Sequence, residues 1–144
     1  MTNTVALQAC ERLILDLAHF NDTGQWGRLA DLFIEDGILR HPLDEGRATQ
    51  GRQAIQERMA LRPDHLQSVH VCTNMRLSPL SPQTLEGTTY YTVYLYDLGH
   101  PRQTPQAHVG VYEDRFQLDH GTWRLAERRG QTRLHIPVQE GVCP

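Results

Sequence analysis

At Ser68 the spacing of apolar residues changes from three-and-four to two, a switch that limits the chain to folds in which helices come first and strands follow. Before it, Leu7, Cys10, Leu13, Ile14, Leu17 and Phe20 share one helical face, with Glu11, Arg12 and Asp16 between them. A break at Asp22-Thr23-Gly24 precedes a second helical set, Trp26, Leu29, Ala30 and Phe33, which Asp36-Gly37 stops. Ile38 to His41 is a short apolar stretch before Pro42, Asp44-Glu45-Gly46 is a turn, and Arg47 to Gln50 can return as the partner strand. Gly51 opens a third helix, Arg52 to about Leu61, ended by Pro63.

After the switch, Val69, Val71, Thr73, Met75 and Leu77 alternate with His70, Cys72, Asn74 and Arg76, a strand with two chemically different faces. The aromatic and β-branched run within Leu85 to Leu98 predicts a second long strand; His108 to Leu118 and Thr122 to Ile136 follow as a hairpin about Asp119-His120-Gly121. The polar, proline-containing stretch Gly99 to Gln106 is a surface loop. At 144 residues this order predicts one α+β domain spanning 1–144, with a core over about 5–136 and a tail, 137–144, ordered only against another subunit. The expected architecture is a cone-shaped barrel, a curved antiparallel sheet wrapped around the N-terminal helices with a pocket at its wide end.

Charge and cysteine usage exclude several function classes. Fourteen Lys and Arg against seventeen Asp and Glu give a net charge of −3 without a basic run, so neither nucleic acid nor a membrane surface is an expected partner. No apolar run approaches the roughly 18 to 20 residues of a membrane span, and Met1 to Val5 lacks the features of a signal peptide, which predicts a soluble cytoplasmic protein. The three cysteines, Cys10, Cys72 and Cys143, lack metal or disulfide spacing and read as reduced thiols. The eight histidines form no metal-binding pair, and neither metal nor other cofactor is expected.

The residues leave several roles open. Asp22 ends the first helix, where the macrodipole disfavours a carboxylate unless a cation lies near; it is either paired with a histidine across the pocket or a turn and capping residue. His70, Cys72 and Asn74 share one strand face, which either lines the pocket or points outward with Val69, Val71, Met75 and Leu77 as core. Asn21 and Trp26 are candidate lining residues, and Tyr90, Tyr94 and Tyr112 can offer hydroxyls to a ligand or pack. Arg128 can hold developing negative charge, but it shares parity with Ala126 and not with Trp123 and Leu125, so either those two bulky residues face away from the pocket or a bulge intervenes. Asp97, Glu113 and Asp114 are exposed by default. Tyr91, Val93, Leu95, Val109 and Val111 are assigned to a convex outer face that a homodimer or homotrimer would cover.

The stretch Phe20-Asn21-Asp22-Thr23-Gly24-Gln25-Trp26 through Leu32-Phe33-Ile34-Glu35-Asp36-Gly37, then Gly51-Arg52-Gln53-Ala54-Ile55, His70-Val71-Cys72-Thr73-Asn74, Gly110 to Phe116 and Gly121 to Leu125 resembles SnoaL-like proteins. These belong to the nuclear transport factor 2-like, or cystatin-like, superfamily. Within it the chain is most similar to the scytalone dehydratase and hexachlorocyclohexane dehydrochlorinase branch. That resemblance implies a catalytic pair of Asp22 and His70, with Arg128 at a pocket arginine position. It also implies a cofactor-independent lyase or isomerase that takes a proton from a small hydrophobic, cyclic substrate. Asn21 stands where scytalone dehydratase has a tyrosine, and Leu17 stands near where the dehydrochlorinase has a basic residue. The superfamily also holds noncatalytic members, so a small-ligand carrier or a dioxygenase β-subunit-like scaffold is the alternative.

Overall fold

The computed structural model describes residues 3–139; Cys143 and the end of the predicted tail lie outside that range. Three helices, α1 (Thr4–Asp22), α2 (Trp26–Ala30) and α3 (Arg52–Met59), accompany six strands: β1 (Phe33–Arg40), β2 (Thr49–Gln50), β3 (Leu66–Ser81), β4 (Thr84–Asp97), β5 (Gln106–Asp119) and β6 (Thr122–Pro137). The sheet runs β2-β1-β6-β5-β4-β3, with β1 and β6 parallel and every other pair antiparallel. It is a curved, unclosed sheet of an α+β fold. Among the described residues no helix is long and apolar enough to cross a membrane.

Helix α1 starts where the Asn3 side chain accepts the Ala6 N–H at 3.1 Å, and it buries Ala6, Cys10, Leu13, Ile14, Leu17 and Ala18. Its other end is a Schellman motif: the Gln25 N–H donates to the Phe20 carbonyl at 2.8 Å and the Gly24 N–H to that of Asn21 at 3.3 Å. Gly24 supplies the left-handed conformation at φ 67° that the motif requires. Asp22 is thereby held at a fixed helix end beside β3.

The second helix is shorter than the sequence predicts. Phe33 matches helical spacing from Trp26, yet it begins β1 and is fully buried there; Ile34, Ile38 and Leu39 belong to the same strand, where β-branched and apolar residues fit a sheet as well as a helix.

Two bulges decide which side chains face inward. Between Thr73 and Arg76 the register of β3 shifts, with Asn74 at φ 53°. A one-residue shift reverses parity, so Cys72 lies inward before the bulge and Met75 and Leu77 lie inward after it, while Val69 and Val71 are exposed at 47% and 43%. In β6, Phe116 faces Leu125 while Arg115 faces Glu127, leaving Ala126 as the extra residue; Leu125 and Arg128 are therefore both buried.

The outer-face assignment is corrected on β4 by the same alternation, while Val109 and Val111 on β5 keep it, since they face Thr92 and Tyr90 across the strands. Tyr91 and Val93 are buried, and with Leu95 they line the interior. Tyr90 and Tyr94 stand outside, 50% and 42% exposed. Bulky residues occupy both parities of β4, so composition cannot orient it; pairing of His70 with Val93 and Cys72 with Tyr91 does.

Candidate active site

A cavity of about 400 Å³ opens between the helices and the inner face of the sheet, within the range of small-molecule sites. Its walls are mainly apolar, with Leu17, Trp26, Leu39, Met59, Tyr91 and Val93 among them. Polar groups enter from separate elements: Asn21 from α1, His70 from β3 and Arg128 from β6.

Asp22 lies behind His70 rather than in the cavity wall. Its Oδ1 is 2.5 Å from His70 Nδ1, its Oδ2 accepts the His70 backbone N–H at 2.9 Å, and Ser68 Oγ donates to Oδ1 at 2.8 Å. Burial raises the carboxyl's pKa, but these hydrogen bonds and the imidazole's charge together outweigh it and hold it below the usual carboxylate value. The ionised carboxylate only accepts, so Nδ1 carries a proton, which in the neutral ring leaves the lone pair on Nε2. The His70 side chain is 8% exposed and lines the cavity.

Arg62, which the sequence reading passed over, organises the other partners. Its Nη1 donates to Asn21 Oδ1 at 3.1 Å and Ser68 Oγ at 2.8 Å, and its Nη2 donates to the Asn21 carbonyl at 2.8 Å. A guanidinium only donates, so it fixes the Asn21 amide with its oxygen toward Arg62 and its nitrogen toward His70 Nε2, 3.4 Å away. The same guanidinium lies over Trp26, 4.8 Å from the ring centroid.

Arg128 and Asp114 form a two-point ion pair, Nε to Oδ1 and Nη2 to Oδ2, both 2.7 Å, with side chains 2% and 1% exposed. Asp114 is thus buried rather than exposed, because Asp114 and Arg128 are direct cross-strand neighbours on the inner face. Burial would lower the Arg128 pKa, but the Asp114 charge and hydrogen bonds raise it above its ordinary value. Its guanidinium lies 4.0 Å from the Tyr112 ring centroid, and Tyr112 stacks on Tyr91 at 4.2 Å. Cys72 packs behind this aromatic pair, where burial raises its thiol pKa. Asn74 is exposed at the bulge, and Tyr90 and Tyr94 face away from the cavity.

The structure therefore brings Asp22, His70, Asn21, Trp26, Tyr112 and Arg128 to one region and leaves Asn74, Tyr90 and Tyr94 outside it. Besides Arg62, it adds Tyr91, His41 and Arg58. None of these carried a usable signal in the sequence: Tyr91 is oriented only by its pairing with Cys72. Among the described residues no cluster of three or more His, Cys, Asp or Glu is arranged to hold a metal.

His41 carries a pH prediction. Burial first, then the nearby Arg58 charge, lower its imidazole pKa from 6.5 to about 4. Between those values the unfolded chain binds more protons, so stability falls as pH drops from about 6.5 to about 4, by on the order of 2 kcal/mol from this group. Urea midpoints across that window should fall, and His41→Gln should flatten the fall; an equally steep fall in the variant would contradict the assignment.

A SnoaL-like domain model matches residues 5–129. No curated protein sequence matches. Among solved structures, one assigned as a scytalone dehydratase from Novosphingobium aromaticivorans has 19% identity and a TM-score of 0.84, covering 96% of this chain and 91% of that one. A hexachlorocyclohexane dehydrochlorinase, LinA-type3, from Novosphingobium barchaimii has 19% identity and a TM-score of 0.81, covering 96% and 92%. A protein from Catenulispora acidiphila in complex with S-DNPA has 18% identity and a TM-score of 0.75, covering 90% and 95%. At these identities the likeness speaks for the fold.

Proposed function

The chain belongs to the SnoaL-like domain family, and from that premise we propose that it is a lyase or isomerase whose His70 takes a proton from carbon in a small, hydrophobic, cyclic substrate. The observation that carries the reading is the 2.5 Å contact between Asp22 Oδ1 and His70 Nδ1, with the imidazole facing a cavity of about 400 Å³. In the proposed step the C–H bond breaks, Nε2 gains the proton, and the Asp22 carboxylate stabilises the imidazolium formed. Asn21 and Trp26 contribute to the substrate's surroundings. Arg128, already committed to Asp114 through two hydrogen bonds, acts through its charge and remaining N–H groups on negative charge that develops in the cavity.

The dehydratase and dehydrochlorinase described above supply the reaction class, since each eliminates across a carbon–carbon bond. The open cavity at His70 favours a small-molecule site over a scaffold with a filled core, and the Asp22–His70 pair behind it favours an enzyme over a carrier. The test is proton NMR in D₂O of cyclohexanone and of a chlorinated cyclohexane with the protein, following loss of C–H signal and release of chloride. The proposal expects protein-dependent exchange or elimination that His70→Ala abolishes; turnover that survives His70→Ala would refute it.

We also propose that the outer face of the sheet joins copies of this chain as a homodimer or homotrimer. Val69, Val71, Tyr90, Tyr94, Leu134 and Ile136 are 42% to 56% exposed there. Beside them, cross-strand neighbours of opposite sign, Glu113 with Arg129 and Arg115 with Glu127, can pair between copies. Light scattering at micromolar concentration should return a multiple of the 16.5 kDa chain mass, and a monomer would contradict the assignment.

A further inference from the structure

Arg40, Arg58, Arg62 and Arg128 line the cavity, and three of them meet a carboxylate. Arg40 is paired with Glu127 at 2.9 Å, Arg58 with Asp44 at 2.8 Å and Arg128 with Asp114 at 2.7 Å. Arg62 has only uncharged hydrogen-bond partners among the described residues, Asn21 and Ser68. Both N–H groups of its Nη1 are used, on Asn21 Oδ1 and Ser68 Oγ, and one of its Nη2 is used, on the Asn21 carbonyl. A guanidinium has five donors, so the Nε–H and the second Nη2–H are left over. Nε and Nη2 bound the same edge that Arg58 presents to Asp44 and Arg128 to Asp114. The Arg62 Nε is not among the sealed, unpartnered polar atoms of the described residues, so it is open to a ligand.

The surroundings leave this cation undercompensated. Burial lowers the Arg62 pKa more than the charge of Asp22 raises it. Asp22 is committed to His70, and Ser68 stands between it and the guanidinium, accepting from Arg62 and donating to Asp22. Trp26 attracts the cation through its ring face but supplies no counter-charge.

We infer that the Nε/Nη2 edge of Arg62 is a carboxylate site, and that the substrate is a cyclic, largely apolar acid with its ring against the apolar wall and its carboxylate on that edge. This rests on the reading of the cavity at His70 as the substrate site. Arg62 and His70 Nε2 are joined by one side chain, Asn21, whose oxygen accepts from Arg62 and whose nitrogen lies 3.4 Å from Nε2. An acid held by Arg62 is therefore anchored close to the base, by a group that takes no part in the proton transfer. A carboxylate matches the edge in charge and in spacing, since its two oxygens accept two parallel N–H bonds. A carboxamide of the same shape has one acceptor oxygen and sets its own N–H against the second donor, so this edge separates an acid from its amide.

The probes are cyclohexanecarboxylate and cyclohexanecarboxamide, alike in shape and different in charge, titrated into the intact protein at neutral pH and low salt. The acid should bind about 10- to 10²-fold more tightly than the amide, the scale for hydrogen bonds to a charged group, and should move the Arg62 Nε–H resonance. Arg62→Met should bring the acid to the affinity of the amide, and Arg62→Lys, which keeps the charge without the fork, should keep a smaller preference. Equal binding of the two probes, a resonance that the acid leaves in place, or a preference that survives Arg62→Met would overturn the inference. Where Arg62→Met loses both probes, Arg62→Lys decides: a reduced preference supports the site and an undiminished one overturns it. Binding needs no proton transfer, so the two readings fail separately. A preference for the acid without protein-dependent exchange of the α-protons of cyclohexanone would retain the site and refute the base. Exchange that needs His70, without a preference for the acid, would do the reverse.

Discussion

Replacing Asp22 by Asn should lower the rate of carbon-proton abstraction by about 10³- to 10⁴-fold while leaving the fold intact. The carboxylate accepts three hydrogen bonds at once, from the His70 ring, the His70 backbone and Ser68. An amide has one acceptor oxygen, and the backbone N–H cannot change its role. The amide oxygen therefore stays on that N–H, and the amide nitrogen turns toward His70 Nδ1. A donor at that position forces the imidazole proton onto Nε2, where it blocks the lone pair the reaction needs. The loss should appear in the rate rather than in binding of the probe ketone, and it should cost about 1–3 kcal/mol of stability, the scale for a hydrogen bond to a charged group. An Asp22→Asn variant within threefold of the unsubstituted protein in exchange rate would contradict the orienting role.

The largest effect on stability should come from the Arg128–Asp114 pair. Both side chains are almost wholly buried, and each supplies the other's compensating charge. Arg128→Met leaves the Asp114 carboxylate buried without that charge, which should cost about 3–5 kcal/mol, and Asp114→Leu strands the guanidinium at similar cost. Replacing both together should recover much of the loss, because two apolar residues avoid the desolvation that either lone charge suffers. Urea unfolding of the single and double variants measures this coupling. Single variants within about 1 kcal/mol of the unsubstituted protein, or a double variant no more stable than the worse single, would show that the pair does not carry the load assigned to it.

The fold was legible where periodicity had one interpretation. Leu7 to Phe20 could only be an amphipathic helix, and Thr88 to Tyr96 could only be a strand. Asp22 was legible as a helix-end residue because Gly24 stands two positions later, where a Schellman motif needs a left-handed residue. What stayed hidden depended on pairing across the sheet. Tyr90 and Tyr91 are chemically alike and opposite in direction, and only the partner Cys72 separates them. The bulge at Asn74 reverses the face of β3 midway, so a single alternation from Val69 to Leu77 describes only one half correctly. Arg62 and His41 reach the site from loops, where spacing carries no directional information. The Asp114–Arg128 pair was hidden because a charged residue in a strand reads as exposed until its cross-strand neighbour is known.

The measurement closest to the central claim is the tautomer of His70, read by imidazole ¹⁵N NMR at neutral pH in the unsubstituted protein and in Asp22→Asn. The account predicts the Nδ1–H form in the first, with Nε2 unprotonated, and a change to the Nε2–H form in the second. An Nε2–H imidazole in the unsubstituted protein, or a tautomer indifferent to Asp22, would contradict it.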